Sequence, residues 1–212
     1  MQTGGLLPRA PRPTARAERR ASQRERLLVG IADCVAEDGY AAASVARIAR
    51  HAGVSTRTFY EHFTDKEDCL LAAYDVAVET AVGRLQAAYA PALPWRDRLG
   101  QLLQAWFELL ASEPSFTRIY ALEIWHATPT TQQRAVQGTS TLCAVFRQAN
   151  RDAIAEDARV VAVTDDELQL LAGGTHRLML LRVLAGETAK LPELVPAVLA
   201  GAEGILARTA PA

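Results

Sequence analysis

Cysteine is scarce in this sequence, and what there is does not pair. Cys34, Cys69 and Cys143 are far apart and odd in number among 212 residues. None falls in a CxxC or a Cys/His pair at zinc spacing, which argues against a disulfide framework or a structural metal. Lysine is rarer still, limited to Lys66 and Lys190, so the chain carries its positive charge on arginine. No apolar run approaches the ~18 residues of a membrane span, and no apolar stretch leads to a small-residue cleavage site. The expectation is a soluble, cytoplasmic chain. No segment alternates apolar and polar residues for long, so no strand is predicted. HExxH, GxSxG and phosphate-loop motifs are missing as well. Nothing brings Cys143 and His126 together as nucleophile and base, and neither a cofactor nor a metal is expected.

What is present favours helix. Hydrophobic residues make up 50% of the chain and only 6% is aromatic, a balance in which alanine and leucine dominate. The net charge of −1 hides an asymmetry: residues 1–66 hold 11 Arg or Lys against 7 Asp or Glu, and the remainder holds 12 against 17. A basic first part on an acidic body points to one end that meets a polyanion. Residues 1–20 mix Pro, Gly and Arg without an apolar period. They read as a disordered arm, either a solubilising tail or a basic segment that adds phosphate contacts.

The rest is organised around segment 44–66, SVARIARHAGVSTRTFYEHFTDK. Ser44 can cap a first helix by accepting a hydrogen bond from an orphaned backbone N–H. Val45, Ile48 and Ala49 give that helix an apolar face, and Gly53 supplies a left-handed residue after its last turn. Val54 plugs the turn and Ser55 caps a second helix over 55–63. Phe59 and Phe63 share one side of it, which leaves Thr56, Arg57, Thr58, Tyr60 and Glu61 outward. At 1.5 Å per residue this rod is about 13 Å long, short enough to present its first turns to a major groove. A helix over 22–37 precedes the segment, with Leu27, Leu28, Ile31, Cys34 and Val35 as its core stripe and Gly39 as its stop. Asp65 caps a long helix that follows, to about residue 89, where Pro91 and Pro94 end it.

These linked spacings resemble the helix-turn-helix of the tetracycline-repressor (TetR) family. The run Thr58-Phe59-Tyr60-Glu61-His62-Phe63 followed by Asp65-Lys66-Glu67 is similar to that family's recognition helix and the start of its next helix. Gly39-Tyr40, Ile48-Ala49 and Gly53-Val54 fit the same pattern, over about residues 22–72. The resemblance implies an all-α fold: a helix-turn-helix DNA-binding domain over 21–66, behind the arm of 1–20, and a helical ligand-binding and dimerisation domain over 67–212. Thr56, Arg57 and Thr58 sit in the turn that enters the groove in such motifs. Arg57 is the candidate base reader, because a guanidinium pairs bidentately with guanine; a solvated surface arginine is the plainer alternative. Tyr60 and His62 match phosphate-contacting positions of the family, and packing under the next helix is the alternative for His62. Lys66 resembles the family's phosphate-binding lysine, and Ser44 adds a hydroxyl at a helix N-terminus. Arg47 and Arg50 read as solvated charges, with added electrostatic attraction for DNA as the alternative, and His51 has no evident task.

The body reads as helices over 95–111, 115–127, 131–155, 164–186 and 191–207, with Gly138 as a candidate kink. Thr164 and Glu167 form a capping box. The last two helices are apolar on two sides, so each needs two neighbours, and the second of these can be another subunit. Gly173-Gly174 in mid-helix fits close backbone approach. The stretch 182–194, RVLAGETAKLPEL, also looks like the C-terminal body of TetR-type regulators, whose last two helices form a four-helix dimer interface. The family further implies an effector pocket. Its candidate lining is Trp106, Phe107, Phe116, Tyr120, Trp125, His126, Phe146 and His176, with Glu123, Arg147 and Arg177 as further polar groups; plain core is the alternative for each aromatic. The expected function is a homodimeric DNA-binding transcriptional regulator, a repressor released from a palindromic operator by a small molecule. A regulator without a ligand, or an all-helical enzyme or carrier, is the alternative.

Overall fold

Hydroxyl caps and left-handed glycines set most of the helix limits. In this computed structural model the described residues are 15–87, 90 and 92–210. Helix α1 spans Ala15–Asp38, α2 Val45–His51, α3 Thr56–Tyr60 and α4 Lys66–Ala87. Ser44 Oγ accepts from Arg47 N, and Ser55 Oγ from Thr58 N. Gly39 and Gly53 close α1 and α2 at φ 80° and 62°, where any Cβ would be strained. Asp65 Oδ1 accepts from Asp68 N at the start of α4, and Asp68 returns to Thr64 N.

Two boundaries differ from the sequence expectation. Helix α1 begins at Ala15, so residues 15–20 are helical rather than a disordered arm; residues 1–14 of that arm lie outside the described residues. Helix α3 has 5 residues, not the nine expected over 55–63. Its end tightens: both Glu61 and His62 donate to carbonyls three residues back, Thr58 and Phe59. Phe63 still packs on Phe59, ring centroids 5.8 Å apart.

The body holds α5 (Trp95–Ser112), α6 (Pro114–Arg118), a π segment (Ile119–Glu123), α7 (Ile124–His126), α8 (Pro129–Glu156), α9 (Asp165–Leu184), a 3-10 turn (Thr188–Leu194) and α10 (Val195–Leu206). Thr128 and Thr131 form a capping box ahead of α8, and Thr164 with Glu167 forms the one ahead of α9. Helix α8 runs unbroken through Gly138. The single helix expected over 115–127 carries a wide turn at its centre, and the one expected over 191–207 enters through a 3-10 turn containing Pro192. The fold is all-α; one isolated bridge, Val160 to Thr209, pins the end of the described chain to the α8–α9 loop.

Two apolar cores position the functional parts. The first joins α1, α2 and α3 to the start of α4, through Leu27, Ile31, Ile48, Phe59, Leu70 and Tyr74, and extends to Ile119 and Ile124 of the body. The head's packing thus continues past residue 66. The second joins α5, α8, α9 and α10 through Leu103, Phe107, Phe146, Ala172 and Leu206. Among the described residues, no helix is long and apolar enough to cross a membrane.

Candidate nucleic-acid interface and effector cavity

Buried Phe59 fixes the rotation of α3, so the residues on its other side face solvent. Thr56, Arg57 and Tyr60 are exposed, with the Arg57 side chain at 90%. Its ion pair to Glu61 spans 3.6 Å; between side chains this open it is weak and easily exchanged for another partner. The Thr58 hydroxyl is half-buried, 3.0 Å from Ser55 Oγ, and belongs to the cap. His62 is half-buried beside Phe63; burial first, then Arg20 and Arg24, lowers its pKa. Ser44 is exposed at the start of α2.

Lys66, at the start of α4, makes contacts within the protein. Its Nζ donates to Tyr40 O and Ala43 O, both at 2.9 Å, and lies 4.2 Å from the Tyr40 ring centroid. The ammonium ties the α1–α2 corner to the start of α4, and two of its three donors are committed within the protein. The side chain is thus an internal clamp, with one ammonium donor beyond these two bonds. Arg47 is likewise occupied, with Asp38 at 2.5 Å.

The body contains an apolar passage between α4, α5 and α8. Its outer part, about 290 Å³, is bounded by Val82, Leu85, Trp95, Arg98, Leu99, Gln148 and Asp152. Its inner part, about 70 Å³, ends at Val78, Trp106, Tyr120 and Gly138. Both parts share Val82, Leu85, Leu102, Thr141 and Val145, so they adjoin along one wall. The outer end is polar: Arg98 pairs with Asp152 at 3.2 Å. At the inner end Tyr120 stacks on Tyr74 at 6.2 Å and meets Trp106 edge-on at 5.3 Å. A Cβ at Gly138 would collide with the Tyr74 hydroxyl.

The expected pocket residues therefore separate. Trp106 and Tyr120 line the passage. Phe107 and Phe146 are fully buried core. Phe116 lines a different cleft of about 150 Å³, against Ala77, Thr80 and Arg84. Trp125 and His176 border a void of about 10 Å³ with Tyr74 and Tyr120. His126 is exposed, its Nδ1 2.9 Å from Leu122 O, and so stands outside any pocket. Burial lowers the pKa of His176, and a hydrogen bond to the Ala121 backbone opposes it; its Nε2 is buried without a partner. Sequence reasoning missed the aliphatic walls on α4 and α8. Their signal was present, since Val78, Val82 and Leu85 form a helical stripe, but such a stripe reads equally as core. All three thiols are buried, and burial disfavours the thiolate: it pushes Cys69 up to about 12 and raises Cys34 and Cys143.

The body is connected directly to the head. Glu123, in the π segment three residues after Tyr120, accepts from Tyr40 N at 3.1 Å and pairs with Arg118 at 3.1 Å. Thr128 Oγ1 donates to Glu67 at 3.0 Å, and Arg134 to Asp75 at 2.7 Å, which joins α8 to α4.

An outward recognition helix on an all-helical body with an apolar passage defines a two-part helix-turn-helix protein. Residues 27–73, the helix-turn-helix and the start of α4, match the family model of bacterial regulatory proteins, tetR family. The fatty acid metabolism regulator protein of Bacillus subtilis is 27% identical over 92 residues, 43% of this chain and 47% of that protein. The chain thus aligns with about half the length of that relative. The HTH-type transcriptional activator FasR of Mycolicibacterium smegmatis is 28% identical over 147 residues, 68% of this chain and 67% of FasR. The crystal structure of FadR from Bacillus subtilis in complex with stearoyl-CoA superposes with a TM-score of 0.74 at 20% identity, covering 85% of this chain and 98% of that one. At that identity the likeness speaks for the fold.

Proposed function

We propose that the chain is a homodimeric transcriptional regulator, released from a palindromic operator by an elongated apolar effector of the fatty-acyl class. The observation that carries this reading is the pair of adjoining apolar cavities with a charged outer end, one helix away from the outward-facing α3. Ligand sites are concave and mostly apolar with a few polar groups; an acyl chain fits the aliphatic walls, and a polar head fits beside Arg98 and Gln148. The Bacillus subtilis relative supports the choice of effector: it is named for fatty acid metabolism, and FadR of that organism was solved with stearoyl-CoA. Within this reading Thr56, Arg57 and Tyr60 face the groove, with Ser44 and His62 at its edges.

Dimerisation rests on the outer face of α9 and α10. Leu170 (65% exposed), Leu178, Leu181 and Leu184 (59%) form a stripe on α9, beside open Gly173 and Gly174. Ala197, Ala200, Gly201 and Gly204 leave the neighbouring face of α10 smooth. A large exposed apolar patch of this kind marks an interface, and a two-fold pairing sets two recognition helices about one helical turn apart. Release by ~100-fold requires about 2.7 kcal/mol of coupling between effector and DNA.

The test is binding of the chain to its own upstream DNA with and without stearoyl-CoA, alongside thermal melting. A melting temperature that rises with stearoyl-CoA, together with loss of the DNA complex, is the expected result. No rise with any acyl-CoA would remove the effector assignment. FasR is named an activator, and a reporter read in the same experiment sets the sign of regulation.

A further inference from the structure

Helix α1 runs well beyond the core that it serves. Among its described side chains the first fully buried one is Leu27, and residues 18–26 are exposed except for half-buried Gln23. Charge is sorted around this projecting part. At 3.6 residues per turn, Arg19, Arg20, Arg24 and Arg26 fall within a sector of ~160°, whereas Glu18 and Glu25 lie together on the opposite side. The basic sector is turned toward the recognition unit. Arg20 Nη2 donates to Glu61 O at 3.2 Å, at the end of α3. The Arg24 guanidinium lies 5.3 Å from the Phe63 ring centroid, and Arg26 Nη1 lies 3.5 Å from where a Cβ on Gly53 would stand. Between α1 and α3 there is an open polar cleft of about 400 Å³, bounded by Arg19, Arg20, Gln23 and Glu61. The one acid on it, Glu61, pairs with Arg57. No ion pair holds Arg19 among the described residues.

We propose that this basic face of α1, with Arg19 and Arg20 at the cleft, is a second binding surface for the phosphodiester backbone of duplex DNA, beside the groove that receives α3. The proposal rests on the DNA-binding reading given above and adds to it a sequence-independent contact. Arg20 bridges from α1 to the end of α3, so any backbone held here is registered against the recognition helix. Guanidinium groups pair with phosphate through parallel N–H donors, and Gln23 adds an uncharged donor to the same cleft. Such contacts position a protein on DNA without reading its bases.

The experiment is fluorescence anisotropy with a labelled mixed-sequence duplex, titrated at several salt concentrations. The full chain is compared with Arg19→Gln and with the double variant Arg19→Gln/Arg20→Gln. Each lost phosphate contact reduces the slope of log affinity against log salt by about 0.9. The expected result is a slope lower by about 0.9 for the single variant and about 1.8 for the double, with unchanged melting temperatures. Arg19→Gln keeps the Arg20 bridge, so its slope reports the cleft even if the double variant loosens α3. Slopes equal to the parent's in both variants, with the parent binding duplex, overturn the second surface alone. A parent without affinity for duplex even at low salt overturns the regulator reading and this surface with it.

Discussion

An ammonium group has three donors, and Lys66 directs two of them to carbonyls of the α1–α2 corner. Lys66→Met should therefore lower the stability of the chain by about 1–3 kcal/mol, the usual loss for hydrogen bonds to a charged group, as read from urea unfolding. DNA affinity should fall for all sequences alike with an unchanged salt slope. A lysine that met only a phosphate would leave the urea midpoint alone and flatten that slope by about one. Arg57 is the opposite case, exposed at 90% with one weak pair. Arg57→Ala should leave stability within about 0.5 kcal/mol, yet weaken specific binding by ~1–3 kcal/mol and relax one base preference; equal affinity for operator variants before and after the substitution would sink its role as base reader. His176 gives a pH dependence. Burial lowers its folded pKa below the ordinary 6.5, so the unfolded chain takes up the proton first as pH falls. Its contribution to stability is whole above pH 6.5, is lost as pH falls below that value, and levels off once the folded pKa is passed. Melting curves from neutral pH to about pH 5 should show this acid loss in the parent and a smaller one in His176→Gln.

At the scale of elements, the parts legible in the sequence are those decided within a few residues. Ser44, Ser55 and Thr164 each cap a neighbouring amide, and Gly39 and Gly53 adopt the left-handed backbone that ends a helix. The π segment and the 3-10 turn were not legible, because distant packing sets them. Tyr120 must reach Tyr74 and Trp106 while Glu123 reaches Tyr40, and a wider turn between 119 and 123 accompanies both contacts. The cavity was hidden for a related reason. Val78 and Phe107 look alike as apolar positions on helices, and only the separation of α4, α5 and α8 decides that one faces space and the other a filled core. The π segment also has a functional consequence, since it carries a wall of the passage and a hydrogen bond to the head. Glu123→Ala removes the acceptor of Tyr40 N and the partner of Arg118. Under the proposed effector, it should leave the expected rise in melting temperature with stearoyl-CoA intact while shrinking the expected effect of that ligand on DNA affinity. An unchanged ratio of DNA affinities with and without stearoyl-CoA would show that the signal travels through α4 alone.

For the whole molecule, the two-sided apolarity of the last helices is the feature that one chain leaves unresolved. Leu168, Leu171, Ala172 and Met179 turn inward to the body core, whereas Leu170, Leu178, Leu181 and Leu184 of the same helix face outward. A carboxylate placed on that outer stripe tests what covers it. In a single chain, Leu181→Glu sits in water and should shift stability by no more than about 0.5 kcal/mol. In a two-fold dimer the substituted positions come in pairs, so two charges lose water and face a like charge across the seam, a cost of several kcal/mol. Sedimentation should then report the parent as a dimer and Leu181→Glu as a folded monomer with an unshifted helical signal. DNA affinity should fall with it, because the second recognition helix is no longer tethered beside the first; joining two sites is worth roughly 10²–10⁴ in avidity. A Leu181→Glu chain that stays dimeric and holds its operator as the parent does would place the subunit interface elsewhere and leave the leucine stripe of α9 without a partner.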